Sequence, residues 1–196
     1  MQDGIHDEFV GRFVATVGDL AVGPGTDPGV VLGPLIDQDA LEKVERHIAD
    51  AVSKGATVVA GGERHALGSR YFEPTVLLDV QADMAISCEE TFGPVAGISR
   101  FHTEDEAIRR ANSTPYGLAA YFYSRDVGRV WRVSEALDFG IVGINTGLIA
   151  TEVAPFGGMK ESGMGRERLQ VRNRGVAGDQ VPLPWRHRSV RDRRRT

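Results

Sequence analysis

A chain of 196 residues, 41% hydrophobic and 26% charged, is long enough for one globular domain with its own core. No apolar run reaches the ~18–20 residues of a membrane span, and the acidic start Met1-Gln2-Asp3-Gly4-Ile5-His6-Asp7-Glu8 lacks the basic and apolar regions of a signal peptide; the expectation is a cytoplasmic protein with no membrane partner. The net charge of −4 conceals an asymmetry, because residues 1–165 carry 13 Lys+Arg against 24 Asp+Glu while residues 166–196 carry ten Arg against three acids.

From His6 to Leu20 the residues Phe9, Val10, Phe13, Val17 and Leu20 recur at helical spacing until Gly23-Pro24-Gly25 breaks the pattern. A second helix is predicted from about Gln38 to Lys54, with Leu41, Val44, Ile48 and Val52 on one face, Asp37 as N-cap and Gly55 beyond its end. Thr57 to Ala60 reads as a short strand stopped by Gly61-Gly62, and Phe72 to Val80 as another extended stretch. A strand from Pro94 to Phe101 precedes a helix from Glu104 to Asn112, which Thr103 and Glu106 open at capping-box spacing. Leu118 to Ser124 then reads as a strand, Val127 to Leu137 as a helix capped by Asp126, and Ile141 to Asn145 as a buried strand. This alternation predicts an α/β fold with a mostly parallel sheet covered by helices on both faces.

Three Gly-rich segments lie at element ends, where ligands usually meet such a sheet. In Glu89-Glu90-Thr91-Phe92-Gly93-Pro94 a carboxylate could accept hydrogen bonds from ribose hydroxyls while the ring packs on a flat heterocycle; alone, the segment reads more readily as a charged turn with one core phenylalanine. Gly143-Ile144-Asn145-Thr146-Gly147 and the run from Ala154 to Glu167 carry glycines that let backbone approach a ligand closely, and alone they are turn chemistry. The lone Cys88 fits a reducing compartment and reads as a buried structural thiol. The histidines His6, His47, His65, His102 and His187 show no ligand spacing and no acid or base partner nearby in sequence, so surface positions and no metal site are expected.

Taken in order, these segments resemble the C-terminal portion of the aldehyde dehydrogenase family from about Gln2 to Glu167. The resemblance is carried by Gly33-Pro34-Leu35-Ile36, the Glu-Glu-Thr-Phe-Gly-Pro segment, Tyr116 to Ala120, Gly140 to Asn145, and Pro155-Phe156-Gly157-Gly158 through Gly165-Arg166-Glu167. Gly147-Leu148-Ile149 and Glu152-Val153-Ala154-Pro155 resemble the succinate-semialdehyde dehydrogenase branch. The resemblance implies the three-layer catalytic domain of that fold over residues 1–165, incomplete at its N-terminus, a small aldehyde substrate, NAD or NADP as cofactor, and a homo-oligomer. It assigns Glu90 to the nicotinamide ribose, Phe92 to the nicotinamide ring and Phe156 to the wall of the substrate tunnel, with Asn145 on the strand leading there. Ala150 stands where the branch usually has a serine that contacts the substrate carboxylate, and Thr151 beside it offers a hydroxyl.

The family oxidises an aldehyde by cysteine attack, hydride transfer to NAD(P)+ and hydrolysis of a thioester, with amide groups stabilising the oxyanion. By the resemblance, the nucleophile, the general base and the dinucleotide-binding fold all lie upstream of Met1, so no catalytic residue is assigned and the chain alone is expected to be inactive. The discriminating cofactor residues fall in that absent part, which leaves NAD and NADP both open. After Glu167 the Tyr-rich family ending is replaced by an Arg-rich tail, residues 166–196, which reads as disordered and as out-of-frame or unrelated sequence. No aromatic interleaving accompanies the arginines, so no nucleic-acid partner is expected. A non-catalytic fragment or subunit-binding protein of the same ancestry is the second reading.

Overall fold

The computed structural model describes residues 1–150, 155–163 and 165–167. The expectations for Thr151 and for nearly all of the Arg-rich tail lie outside the described residues. The chain divides into two compact units, Met1–His102 and Thr103–Thr196.

In the first unit α1 (Asp3–Gly18) and α2 (Gln38–Ser53) sandwich a three-stranded sheet of β1 (Thr57–Ala60), β2 (Thr75–Leu78) and β3 (Val95–Ile98). β2 pairs parallel with β3 and antiparallel with β1, so the predicted parallel arrangement holds for one side of the central strand. Alternation along β2 sends Leu77 to a core built from Leu41, Val44, Ile48 and Ala51 of α2, and Val76 to the opposite face against Val10, Phe13 and Val17 of α1. Asp37 caps α2 as predicted, its carboxylate accepting from the Ala40 N–H at 2.7 Å, and Gly55 beyond the helix end has φ +102°. A one-turn helix, α3 (Ala85–Cys88), is not legible in the sequence.

The second unit contains α4 (Glu104–Asn112), β4 (Tyr116–Gly117), β5 (Ala119–Phe122), α5 (Val127–Ala136), β6 (Ile141–Ile144) and β7 (Met159–Lys160). β5 and β6 form a parallel pair, and β4 and β7 a short antiparallel ribbon that periodicity does not reveal. Thr103 and Asp126 cap α4 and α5, accepting from the N–H groups of Glu106 and Arg129. Glu104 binds the guanidinium groups of Arg129 and Arg132 at 3.0 and 2.7 Å, tying the start of α4 to α5. No helix among the described residues is long and apolar enough to cross a membrane.

Two expectations about side chains are corrected. Cys88 is exposed, its S–H donating to the Ala82 carbonyl at 3.2 Å; within α3 the neighbour Ile86 packs on the core, and a residue two positions on faces away from it. His6 and His47 are buried, at 4% and 3% exposure, because each falls in register with an apolar helix face: His6 lies one turn before Val10 on α1, and His47 beside Val44 and Ile48 on α2. His6 also has an acid partner next to it in sequence, its Nδ1 lying 2.8 Å from the Asp7 carboxylate.

Candidate functional site

The Glu89 to Gly93 segment runs from α3 toward β3 and borders a cleft of about 620 Å³ whose lining includes Val80, Ile86, Glu90, Phe92, Gly97 and Ser99. Phe92 is 81% exposed and sits at φ +49°, so its reading as a core phenylalanine is overturned. A bulky aromatic residue seldom takes a left-handed backbone, and this one holds it without the compensation of burial. Glu90 is also exposed, and among the described residues no side chain holds its carboxylate.

What fixes the segment is a polar stripe on α2. Lys43 donates to the Glu90 carbonyl, His47 contacts Thr91 Oγ1 at 3.0 Å and Glu89 Oε2 at 3.3 Å, Asp50 accepts from the Ala85 N–H at 2.7 Å, and Lys54 donates to the Asp83 carbonyl at 2.6 Å. Residues 43, 47, 50 and 54 recur at helical spacing, about a third of a turn round from the apolar face. The Ala85 N–H, with Lys54 second, holds the Asp50 carboxyl below its ordinary pKa, and the Asp50 carboxylate raises the pKa of Lys54. Val44 closes the contact: a methyl group placed on Gly93 would overlap its Cγ2, so only glycine lets the segment lie this near the helix. Sequence reasoning missed this stripe, although a Lys, His, Asp, Lys series at i, i+4, i+7 and i+11 is there to be read.

In the second unit Asn145 follows β6 directly, at φ +56°, and spends its side-chain amide on one residue, accepting from the Ser124 N–H at 2.8 Å and donating to the Ser124 carbonyl at 2.9 Å. It thereby fixes the ends of β5 and β6 together, before a turn that leads to the exposed Ala150. Phe156 is half-buried and exchanges two backbone hydrogen bonds with Glu167, at 3.1 and 2.7 Å. A methyl group on Gly157 would run into the Gly165 carbonyl, which explains the glycine density here as close backbone approach. Lys160 Nζ donates to the carbonyls of Asn112 and Thr114 at 3.0 and 3.2 Å, anchoring the Gly-rich run to the C-terminal end of α4.

Residues 1–173 match the family model described as aldehyde dehydrogenase family. The chain belongs to the aldehyde dehydrogenase family. Similar proteins include the glutarate-semialdehyde dehydrogenase of Pseudomonas aeruginosa, 58% identical over 167 residues, covering 85% of this chain and 35% of that protein. The NADP(+)-dependent succinate-semialdehyde dehydrogenase of Escherichia coli is 57% identical over the same shares, and the 3-sulfolactaldehyde dehydrogenase of Pseudomonas putida is 56% identical, with 34% of that protein covered. The crystal structure of succinate-semialdehyde dehydrogenase from Burkholderia pseudomallei superposes with a TM-score of 0.82 at 59% identity, over 84% of this chain and 34% of that one. The chain therefore spans about a third of the length of the relatives it matches.

Proposed function

We propose that this chain is the portion of an NAD(P)-dependent aldehyde dehydrogenase that presents Glu90 to the nicotinamide ribose and Phe92 to the nicotinamide ring, within a catalytic domain covering residues 1–165. The observation that carries the reading is Phe92, a solvent-exposed ring held at positive φ beside an exposed carboxylate, on a segment bonded along its length to one helix. An uncharged aromatic face and an acceptor-only carboxylate fit a flat heterocycle and a ribose diol, respectively. The bound nicotinamide supplies the hydride acceptor, and this chain's part is to orient it. The E. coli relative is named for NADP(+), and a betaine aldehyde dehydrogenase structure from Staphylococcus aureus, 38% identical, is a complex with NAD+; both cofactors stay within the proposal.

The substrate we assign is a short aldehyde with an anionic group at its far end, succinic semialdehyde first. The relatives at 56–58% identity are named for succinate semialdehyde, glutarate semialdehyde and 3-sulfolactaldehyde, which share that pattern. Phe156 is assigned to the aldehyde tunnel, and Ala150 with Thr151 to the region facing the distal anion. No residue of this chain is assigned as nucleophile or general base. The sole cysteine, on α3 with its S–H on a backbone carbonyl, supports that reading. Mixing the full chain with succinic semialdehyde and NAD+ or NADP+ is expected to give no reduced nicotinamide, while the chain quenches or shifts the fluorescence of added reduced cofactor and Phe92→Ala abolishes that change. Turnover that disappears in Cys88→Ala, or cofactor fluorescence indifferent to Phe92, would overturn the proposal.

A further inference from the structure

We propose that His47 is a positioning residue for the nicotinamide-facing segment, acting through Thr91 and Glu89 on either side of Glu90. Its imidazole is 3% exposed, yet each ring nitrogen meets a side chain of the segment, Nδ1 at 3.0 Å from Thr91 Oγ1 and Nε2 at 3.3 Å from Glu89 Oε2. An ionised carboxylate only accepts, so the ring meets Glu89 with an Nε2–H donor, while the Thr91 hydroxyl, able to donate or accept, meets Nδ1. One buried group thus fixes the residues before and after Glu90, and Thr91 is the immediate neighbour of Phe92. The rest of α2 does not duplicate this: Lys43 binds a main-chain carbonyl, while Asp50 and Lys54 hold residues 85 and 83, which lie ahead of the segment. A loop whose exposed ring sits at positive φ needs such an external restraint, because neither burial nor backbone preference holds the ring there.

This inference rests on the nicotinamide reading of Glu90 and Phe92, and the test separates the two. The probes are nicotinamide mononucleotide, which carries the ribose and ring that the segment would face, and adenosine monophosphate as the half that it would not. In the full chain, ligand-observed NMR titration gives affinity, and ¹⁵N relaxation of the Thr91 and Phe92 amides reports the order of the segment. His47→Leu keeps the buried volume and removes both contacts; Thr91→Val removes only the hydroxyl, for use if the leucine variant fails to fold; His47→Gln can restore one donor and one acceptor. The expected result is mononucleotide affinity about tenfold weaker in His47→Leu, less so in Thr91→Val, and largely rescued in His47→Gln, with residues 91 and 92 mobilised and β2 amides unchanged. Wild-type affinity and unchanged residue 91 and 92 amides in His47→Leu or Thr91→Val would overturn the role of His47. A wild-type chain that does not bind the mononucleotide, but whose segment still loosens in His47→Leu, would retain His47 as the positioning residue and overturn the nicotinamide assignment.

Discussion

Replacing Gly93 by alanine tests whether the Glu89 to Gly93 segment is seated on α2 as described. The added methyl would fall deep inside the ~3.5–4.0 Å separation normal for carbon pairs, against Cγ2 of Val44. Val44 is fully buried among Leu41, Ile48 and Leu77 and has little room to retreat. Gly93 is not at positive φ, so the backbone itself tolerates alanine, and restriction of the unfolded chain would favour the variant by ~0.4–1 kcal/mol. Overpacking costs ~1–3 kcal/mol, so the net expectation is destabilisation of about 1–2 kcal/mol. Val44→Ala alone leaves a cavity and costs about 2 kcal/mol, but it removes the methyl that the Gly93→Ala side chain would strike. The double variant should therefore be less destabilised than the two single effects added, with a coupling of about 1–2 kcal/mol, read as urea midpoints at unchanged m. Strict additivity would refute the contact, and with it the claim that α2 sets the height of the segment.

Three further outcomes follow from single features. Asn145→Gly loses the paired bonds to Ser124 but fits φ +56°, whereas Asn145→Ala loses the bonds and keeps the strain; thermal unfolding should place the alanine variant about 1 kcal/mol below the glycine one, and equal stability would show that no strain is stored there. The carboxyls of Asp50, Glu45 and Glu104 are held below their ordinary pKa, by the Ala85 N–H, Arg64 and Arg132 respectively as the first causes. Depressed folded-state values give stability that is complete above the unfolded pKa near ~4 and lost as pH falls through the lower folded values; the urea midpoint should be flat from about pH 7 to about 5 and drop below about 4, with a shallower drop in Asp50→Asn. Cys88, being exposed, should react stoichiometrically with a thiol reagent in native buffer at a rate that denaturant barely changes, while strong protection would reinstate a buried thiol.

Elements governed by local chemistry are legible in the sequence. Asp37, Thr103 and Asp126 cap the helices that their positions predict, and β1 spans the predicted Thr57 to Ala60. The strands that periodicity does not reveal, β4 and β7, are two residues each and owe their pairing to Lys160 and Ser162 reaching distant backbone, which no local pattern encodes. A surface reading of the histidines fails because it weighs residue type above helical register: His6 continues the Val10 and Val17 stripe of α1. The candidate site is legible as a motif, Glu90 and Phe92, but not as a structure. What holds that motif lies more than forty residues earlier in the chain: His47 and Glu89 are 42 positions apart, and Lys43 and Glu90 are 47 apart.

Helix α2 uses one face, Leu41, Val44, Ile48 and Ala51, to build the core, and the adjoining stripe, Lys43, His47, Asp50 and Lys54, to shape the segment that carries Glu90 and Phe92. Both tasks are completed inside the Met1–His102 unit. Because core formation and loop placement share one helix, a change that lets α2 fray loosens the ring and the carboxylate together, whereas a change confined to the polar stripe loosens the segment and leaves the core. The placement of Glu90 and Phe92 is thus a property of this unit's own folding, and its persistence can be measured in this chain directly.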